Sequence, residues 1–101
     1  MAFFGLAARA GKVVCGADVV REHNLKKKVF IVIIAEDSST NTKEKFLKLS
    51  NDNGIKAFVY GNMENNSKSI GKKNKAIIGV SDKNFSEAIA KIIIGGDAAW
   101  A

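Results

Sequence analysis

Apolar residues recur along this chain with two different spacings, and the alternation between them sketches a fold. The run Val29-Phe30-Ile31-Val32-Ile33-Ile34-Ala35 is continuously apolar and rich in β-branched side chains. A strand covered on both faces has that pattern, which predicts the central strand of a sheet. Residues 57–60 read as the next strand, residues 76–80 as another buried one, and residues 12–15 as a short one. Further on, Phe85, Ala88, Ile89, Ile92 and Ile93 fall at i, i+3, i+4, i+7 and i+8. That is a helical period, and its apolar stripe has to pack on the sheet.

The segments between strands carry helix signals. Residues 3–10 are rich in helix formers and stop at Gly11, a residue suited to a helix C-terminus. Gly16 breaks the short strand, and residues 17–24 read as a second helix with Val19, Val20 and His23 on or near one face. The polar stretch from Glu36 to Thr40 is a turn, and Asn41 with Glu44 three residues later forms a capping box for a helix that ends before Gly54. Asn84 and Glu87 offer a second capping box for the last helix. Residues 62–69 are polar, with a short helix expected over residues 68–71. This alternation predicts an α/β layered domain, with helices on both faces of a small, mainly parallel or mixed sheet. Residues 1–94 read as one domain with no linker or internal repeat, and residues 95–101 leave the helical pattern and are expected to form a loose tail, in which Trp100 is read as a mobile side chain in preference to one docked on a partner.

Composition narrows the function. The 101-residue chain is 47% hydrophobic and 26% charged, so it has the means to build one ordinary core and does not read as disordered. Its 16 Lys+Arg against 10 Asp+Glu give a net charge of +6, which makes polyanions the partners to expect. Cys15 is the one cysteine and His23 the one histidine, so there is neither an intramolecular disulfide nor a zinc set, and a reducing cytoplasm fits. Both lie beside apolar residues and read as packing residues. The opening residues lack a charged region before a long apolar core, and the longest apolar run is far below the roughly 20 residues that cross a bilayer. No membrane role, metal or cofactor is expected. Glu36 and Asp37 follow the central strand, where α/β sheets commonly carry function, but no histidine, serine nucleophile or phosphate loop accompanies them. The chain reads as a binding protein and not an enzyme, with no catalytic residue.

The residues themselves are familiar. The stretch Gly5-Leu6-Ala7-Ala8-Arg9-Ala10-Gly11-Lys12-Val13-Val14-Cys15-Gly16, then Ile33-Ile34-Ala35-Glu36-Asp37, then Ile70-Gly71-Lys72-Lys73-Asn74-Lys75-Ala76-Ile77-Ile78-Gly79-Val80-Ser81-Asp82 resembles the L-seven-Ae/L-thirty-e family of ribosomal proteins, in its small bacterial branch. The resemblance extends over residues 3–94. It implies a three-layer α/β/α sandwich with a small mixed sheet, and binding of kink-turns, sharply bent RNA elements with tandem sheared G·A pairs beside a bulge. Carried over by position, the RNA surface would comprise Gly16 to Arg21, Glu36 and Asp37, and Lys72, Lys73, Asn74 and Lys75. The chain departs from archaeal and eukaryotic members, which typically have Gly-Thr-Asn-Glu at the helix start and a lysine three residues further on. Here these positions read Gly16-Ala17-Asp18-Val19 and Glu22.

Each position also has a physical reading of its own. Gly16 permits a tight turn and leaves the first amides of the second helix, at Ala17 and Asp18, available to a phosphate or a guanine edge. Asp18 is either a first-turn acid favoured by the helix dipole or a carboxylate that accepts hydrogen bonds from guanine. Lys12 and Arg21 flank the helix start as phosphate partners or as solvated charges. Lys72, Lys73 and Lys75, with Asn74 between them, put three cations next to a buried strand, a platform for tracking an RNA strand. Lys26, Lys27 and Lys28 read as helix C-terminal charges complementing the dipole. The expected function is to bind the bent conformer of a ribosomal or mRNA-leader RNA and shift the equilibrium toward it, as a monomer associated with translation or the ribosome. The alternative is a protein-interaction scaffold within a translation-related assembly.

Overall fold

The computed structural model describes residues 2–95. The expected tail, with Trp100, lies outside them except for Gly95. Nine elements follow one another: α1 (Ala2–Arg9), β1 (Val13–Cys15), α2 (Ala17–Leu25), β2 (Ile31–Ile34), α3 (Thr40–Asp52), β3 (Lys56–Val59), α4 (Met63–Ser69), β4 (Ile77–Val80) and α5 (Lys83–Gly95). The strands form one sheet in the order β1-β4-β2-β3. β2 and β3 are parallel, whereas β4 runs antiparallel to both of its neighbours. The sheet is therefore mixed, and β2–β3 is its parallel pair.

Both faces of the sheet are covered, which explains the uninterrupted apolar run in β2: Ile31, Val32, Ile33 and Ile34 are all buried. Alternation divides them between two cores. Ile31 and Ile33 join Ile78, Val80, Phe4, Ile70 and Ile89 on the α1/α4/α5 side. Val32 and Ile34 join Val20, Val29, Phe46 and Ile77 on the α2/α3 side. The domain is thus a three-layer α/β/α sandwich. In α5, Phe85, Ile89 and Ile93 pack inward as their spacing predicts, joined by Ala90. Gly79 leaves room for side chains on the α2/α3 side of the sheet, because a Cβ there would approach Val29 Cγ1 to 3.0 Å and Val14 Cγ2 to 3.1 Å.

Several local expectations shift by a residue or a turn. The N-cap of α3 is Ser39, whose hydroxyl accepts from Thr42 N–H at 3.1 Å, so Asn41 lies inside the helix and does not cap it. The start of α5 is capped by Asp82, which accepts from Phe85 N–H at 2.9 Å, in place of the box expected from Asn84 and Glu87. In both helices an earlier oxygen-bearing side chain reaches the third residue on, the geometry a cap requires. The short helix expected over residues 68–71 spans Met63–Ser69 instead, because Asn62 caps it by accepting from Asn65 N–H at 2.7 Å. On α2 the inward side is Val20 and Asn24, whereas Val19 is exposed. Asn24 is fully buried yet satisfied: its Nδ2 donates to Ser50 Oγ at 2.8 Å and its Oδ1 accepts from Asn53 Nδ2 at 2.9 Å, tying α2 to α3. A buried amide without such partners would cost on the order of 1–3 kcal/mol.

Helices α1, α2, α3 and α4 close in the same way. The amide two residues past the C-cap donates back to the carbonyl five residues earlier, and the amide just past the C-cap donates to the carbonyl three residues earlier. This Schellman arrangement needs a left-handed residue just past the C-cap. Gly11, Gly54 and Gly71 fill that position in three of these helices, but in α2 it is Lys27, at φ 55°. Lysine pays a Cβ penalty there that glycine does not. Replacing Lys27 with Gly is expected to stabilise the fold by about 0.5–1 kcal/mol, raising the melting temperature by several degrees. Thermal and urea unfolding of the variant would check this, and unchanged or lowered stability would contradict it.

Candidate nucleic-acid interface

The strand register decides which loops meet. β1 and β4 are antiparallel with Cys15 opposite Ile78, and β2 and β4 are antiparallel with Ile34 opposite Ile77. The C-terminal ends of β1 and β2 therefore lie beside the N-terminal end of β4, and parallel β3 finishes at the same edge. Hydrogen bonds continue this line past the strands. Gly16 N–H donates to Ile77 O at 3.0 Å, Ala35 N–H to Ala76 O at 2.9 Å, and Glu36 N–H to Gly61 O at 2.8 Å. The turn at Gly16, the loop at Glu36 and Asp37, and the segment 72–75 that leads into β4 are consequently neighbours along one edge of the sheet.

At this edge α2 begins directly from Gly16, which has φ 95° and ψ 146°. Residues with a Cβ rarely adopt that conformation. No side chain caps the helix, and Ala17, Asp18 and Arg21 are exposed on its first turns. The positive end of the helix dipole thus faces outward there. Glu22 follows one turn after Asp18 and is held by Lys26, whose ammonium donates to it at 2.8 Å. That hydrogen bond, with the ammonium's charge, keeps the Glu22 carboxyl below its ordinary pKa. The acid at this position is engaged with Lys26 on its C-terminal side.

The lysine loop is fixed from beneath by Ser67, which is 1% exposed. Ser67 Oγ accepts from Lys75 N–H at 2.7 Å and donates to Lys75 O at 3.3 Å, and Ser67 O accepts from Lys72 N–H at 2.8 Å. Asn74, at φ 56°, turns the chain between them, a conformation asparagine tolerates better than most residues. Across the edge, Asp37 Oδ1 accepts from Met63 N–H at 2.8 Å, so Asp37 anchors the start of α4. Between Asp37, α4 and the lysine loop lies an open groove of about 740 Å³ lined by Met63, Glu64, Ser67, Lys68 and residues 71–74. A second recess of about 660 Å³ continues past Glu36, Tyr60 and Gly61.

Most of the positions singled out in the sequence converge here: Gly16, Ala17, Asp18, Arg21, Glu36, Asp37, Lys72, Lys73, Asn74 and Lys75. Lys12 does not. Its carbonyl accepts from Ser81 N–H at 2.8 Å, which puts it at the far end of β1 beside the end of β4. The edge also gains residues that the sequence did not single out, Met63, Glu64, Ser67 and Lys68, all carried by α4. Their signal was the polar spacing after Asn62, which marks a cap followed by a helix. Electrostatically the edge is mixed. Arg21, Lys68, Lys72, Lys73 and Lys75 are set against Asp18, Glu36, Asp37 and Glu64, so most of the chain's excess of +6 is carried elsewhere. Among the described residues no group of three or more His, Cys, Asp or Glu could hold a metal ion, and no helix is long and apolar enough to cross a membrane.

No protein-family model matches the chain. Curated relatives do: the RNA-binding protein YlxQ of Enterococcus faecium is 32% identical over 95 residues, which span 94% of this chain and 91% of that protein. The chain belongs to the YlxQ family. A second member, the RNA-binding protein YlxQ of Bacillus subtilis, is 30% identical over 92 residues, covering 88% of this chain and 89% of that protein. A solved structure of a protein of unknown function from Bacillus halodurans superposes with a TM-score of 0.89 at 33% identity, covering 92% of this chain and 94% of that one. The 15.5kD RNA binding protein of Giardia lamblia reaches a TM-score of 0.78 at 15% identity, covering 98% of this chain and 84% of that one, a likeness of fold alone.

In this YlxQ-family chain the hydroxyl of Ser67 is the fixture of the lysine loop. Ser67→Ala removes the acceptor of the Lys75 amide and is expected to cost about 1–2 kcal/mol. Hydrogen exchange should show the Lys75 amide losing protection more than those of β2, and more than the Lys72 amide, whose acceptor is the Ser67 backbone carbonyl that alanine keeps. Uniform loss across the domain, or no loss, would contradict that local role.

Proposed function

We propose that this chain binds structured RNA at the sheet edge formed by Gly16, Glu36 and the lysine loop, and that the RNA is of the kink-turn type. The carrying observation is the antiparallel pairing of β4 with both β1 and β2, which sets the helix start at Gly16 beside residues 72–75. Two members of the YlxQ family are named RNA-binding proteins, and the resemblance to the L-seven-Ae/L-thirty-e family supports the narrower reading. The near balance of charge at this edge bears on mechanism. An interface of mixed sign offers carboxylates as acceptors for the amino and imino groups of guanine, with amides and cations as partners for phosphates. Asp18 and Glu36 would read base edges, while Arg21, Lys72, Lys73 and Lys75 would neutralise phosphates crowded at the bend. Because a kink brings two backbones together, a surface that fits the bent conformer better than the extended one shifts the equilibrium toward it. No bond is made or broken, so the protein acts as a binding protein, as a cytoplasmic monomer. The family resemblance points to ribosomal RNA or an mRNA leader as the source of the target.

The test is titration of a labelled kink-turn RNA, with an RNA lacking the sheared G·A pairs as control. Reversing charge at Lys72, Lys73 and Lys75 together is expected to weaken binding about 100-fold or more. With about four phosphates contacted, log K against log salt should slope at roughly −3 to −4. Equal affinity for the control RNA would refute kink-turn recognition. A flat salt response, or binding indifferent to the charge reversal, would refute the RNA site and favour a protein-docking scaffold.

A further inference from the structure

The end of the sheet opposite the proposed RNA edge carries a second set of cations, two of which share a recess with an exposed aromatic ring. Val13 and Ile31 flank Val80 in the register, and Ile31 is also paired with Lys56. Lys12 O accepts from Ser81 N–H and Phe30 N–H donates to Val80 O, both at 2.8 Å. Lys12 and Phe30 therefore lie at the same end of the sheet with β4 between them, two strand spacings or about 10 Å apart, and Lys56 stands one residue further on, opposite Ile31. Lys28 precedes Phe30 by two residues, and Lys83 opens α5 just beyond β4. A shallow recess of about 220 Å³ brings Phe30, Lys56 and Lys83 together.

Phe30 is 48% exposed although its neighbours Val29 and Ile31 are 2% and 1% exposed. A phenyl ring left open just before β2, in a recess it shares with Lys56 and Lys83, is poor core and a good stacking platform. The cations are not committed elsewhere: the two ion pairs among the described residues use Lys26 and Lys48. Of the nearby acids, Asp82 accepts from Phe85 N–H at the start of α5, and Glu87 lines the recess. Cations around an exposed ring suit a polyanion whose units carry flat faces.

We infer that this end of the domain is a second nucleic-acid site, which holds a single-stranded stretch of RNA with one base stacked on Phe30 and phosphates on Lys12, Lys28, Lys56 and Lys83. The strand must be unpaired, because stacking on a side chain needs an open base face. Recognition is sequence-tolerant, since every base has such a face. The site is independent of the kink-turn reading, lying across the length of the strands from the lysine loop.

The experiment is fluorescence-anisotropy titration of a labelled oligouridylate of about ten nucleotides with the full chain. Circular dichroism checks that each variant is folded. Phe30→Leu, which keeps apolar bulk but removes the ring, should weaken binding about tenfold, and Phe30→Trp should restore it. The triple variant Lys12→Glu, Lys56→Glu, Lys83→Glu should abolish binding, while charge reversal at Lys72, Lys73 and Lys75 should leave it intact. If only the Lys72, Lys73 and Lys75 variant loses the oligonucleotide, a single edge serves all RNA and the inference fails. It also fails if the wild-type chain ignores oligouridylate but binds polyglutamate through Phe30 and its lysines, since the surface would then be for acidic protein.

Discussion

The arrangement depends on the direction of one strand. β4 lies between β1 and β2 and runs against both, so the segment that enters it emerges where its two neighbours end. Were β4 parallel to them, residues 72–75 would sit at the opposite end of the sheet from Gly16, Glu36 and Asp37. Pairing is specified firmly because both faces are buried: a shift of one residue would exchange the side chains that meet α1 and α5 with those that meet α2 and α3. Gly79 adds to this, since it is the small position of β4 beneath Val14, Val20 and Val29.

On this frame, small polar side chains position the irregular parts. Ser67 holds the Lys75 end of the lysine loop through its hydroxyl, Asp37 holds the first amide of α4, and Asn24 bridges to Ser50 and Asn53 between two helices. The Asn24 and Ser67 bonds satisfy buried or part-buried polar groups, and the Asp37 bond satisfies one of the amides a helix start leaves without an intrahelical partner. A binding surface made of loops needs such anchoring, because an ordered loop pays its conformational entropy during folding and not again on binding. Asp37 both lines the groove and shapes it, since its carboxylate holds the start of α4.

Charge is divided between the two ends of the sheet. The edge beside Gly16 mixes carboxylates with cations, a composition suited to discriminating among base edges and backbones. The opposite end collects Lys12, Lys28, Lys56 and Lys83 with few acids to offset them, a composition that favours affinity for polyanions over selectivity. Net charge reported a basic protein; only the positions of the charges separate these two roles.

The hydrophobic run of β2, the stripe of α5 and the glycines past α1 and α3 needed no tertiary information, because burial on both faces, a period of 3.6 and a left-handed turn each leave a local mark. The three-layer class followed from the order of those marks. Caps were legible only to within two or three residues, since Asn41 and Ser39, or Asn84 and Asp82, are chemically equivalent candidates and the helix axis chooses between them. The outward turn of Val19 and the displacement of Lys12 to the far end could not be read, because each depends on packing against or pairing with a distant segment. Residue types, and hence the kinds of contact available, were determined by the chain itself. Which of them share an edge was decided by the antiparallel register of β4 with β1 and β2, an interaction between segments more than forty residues apart.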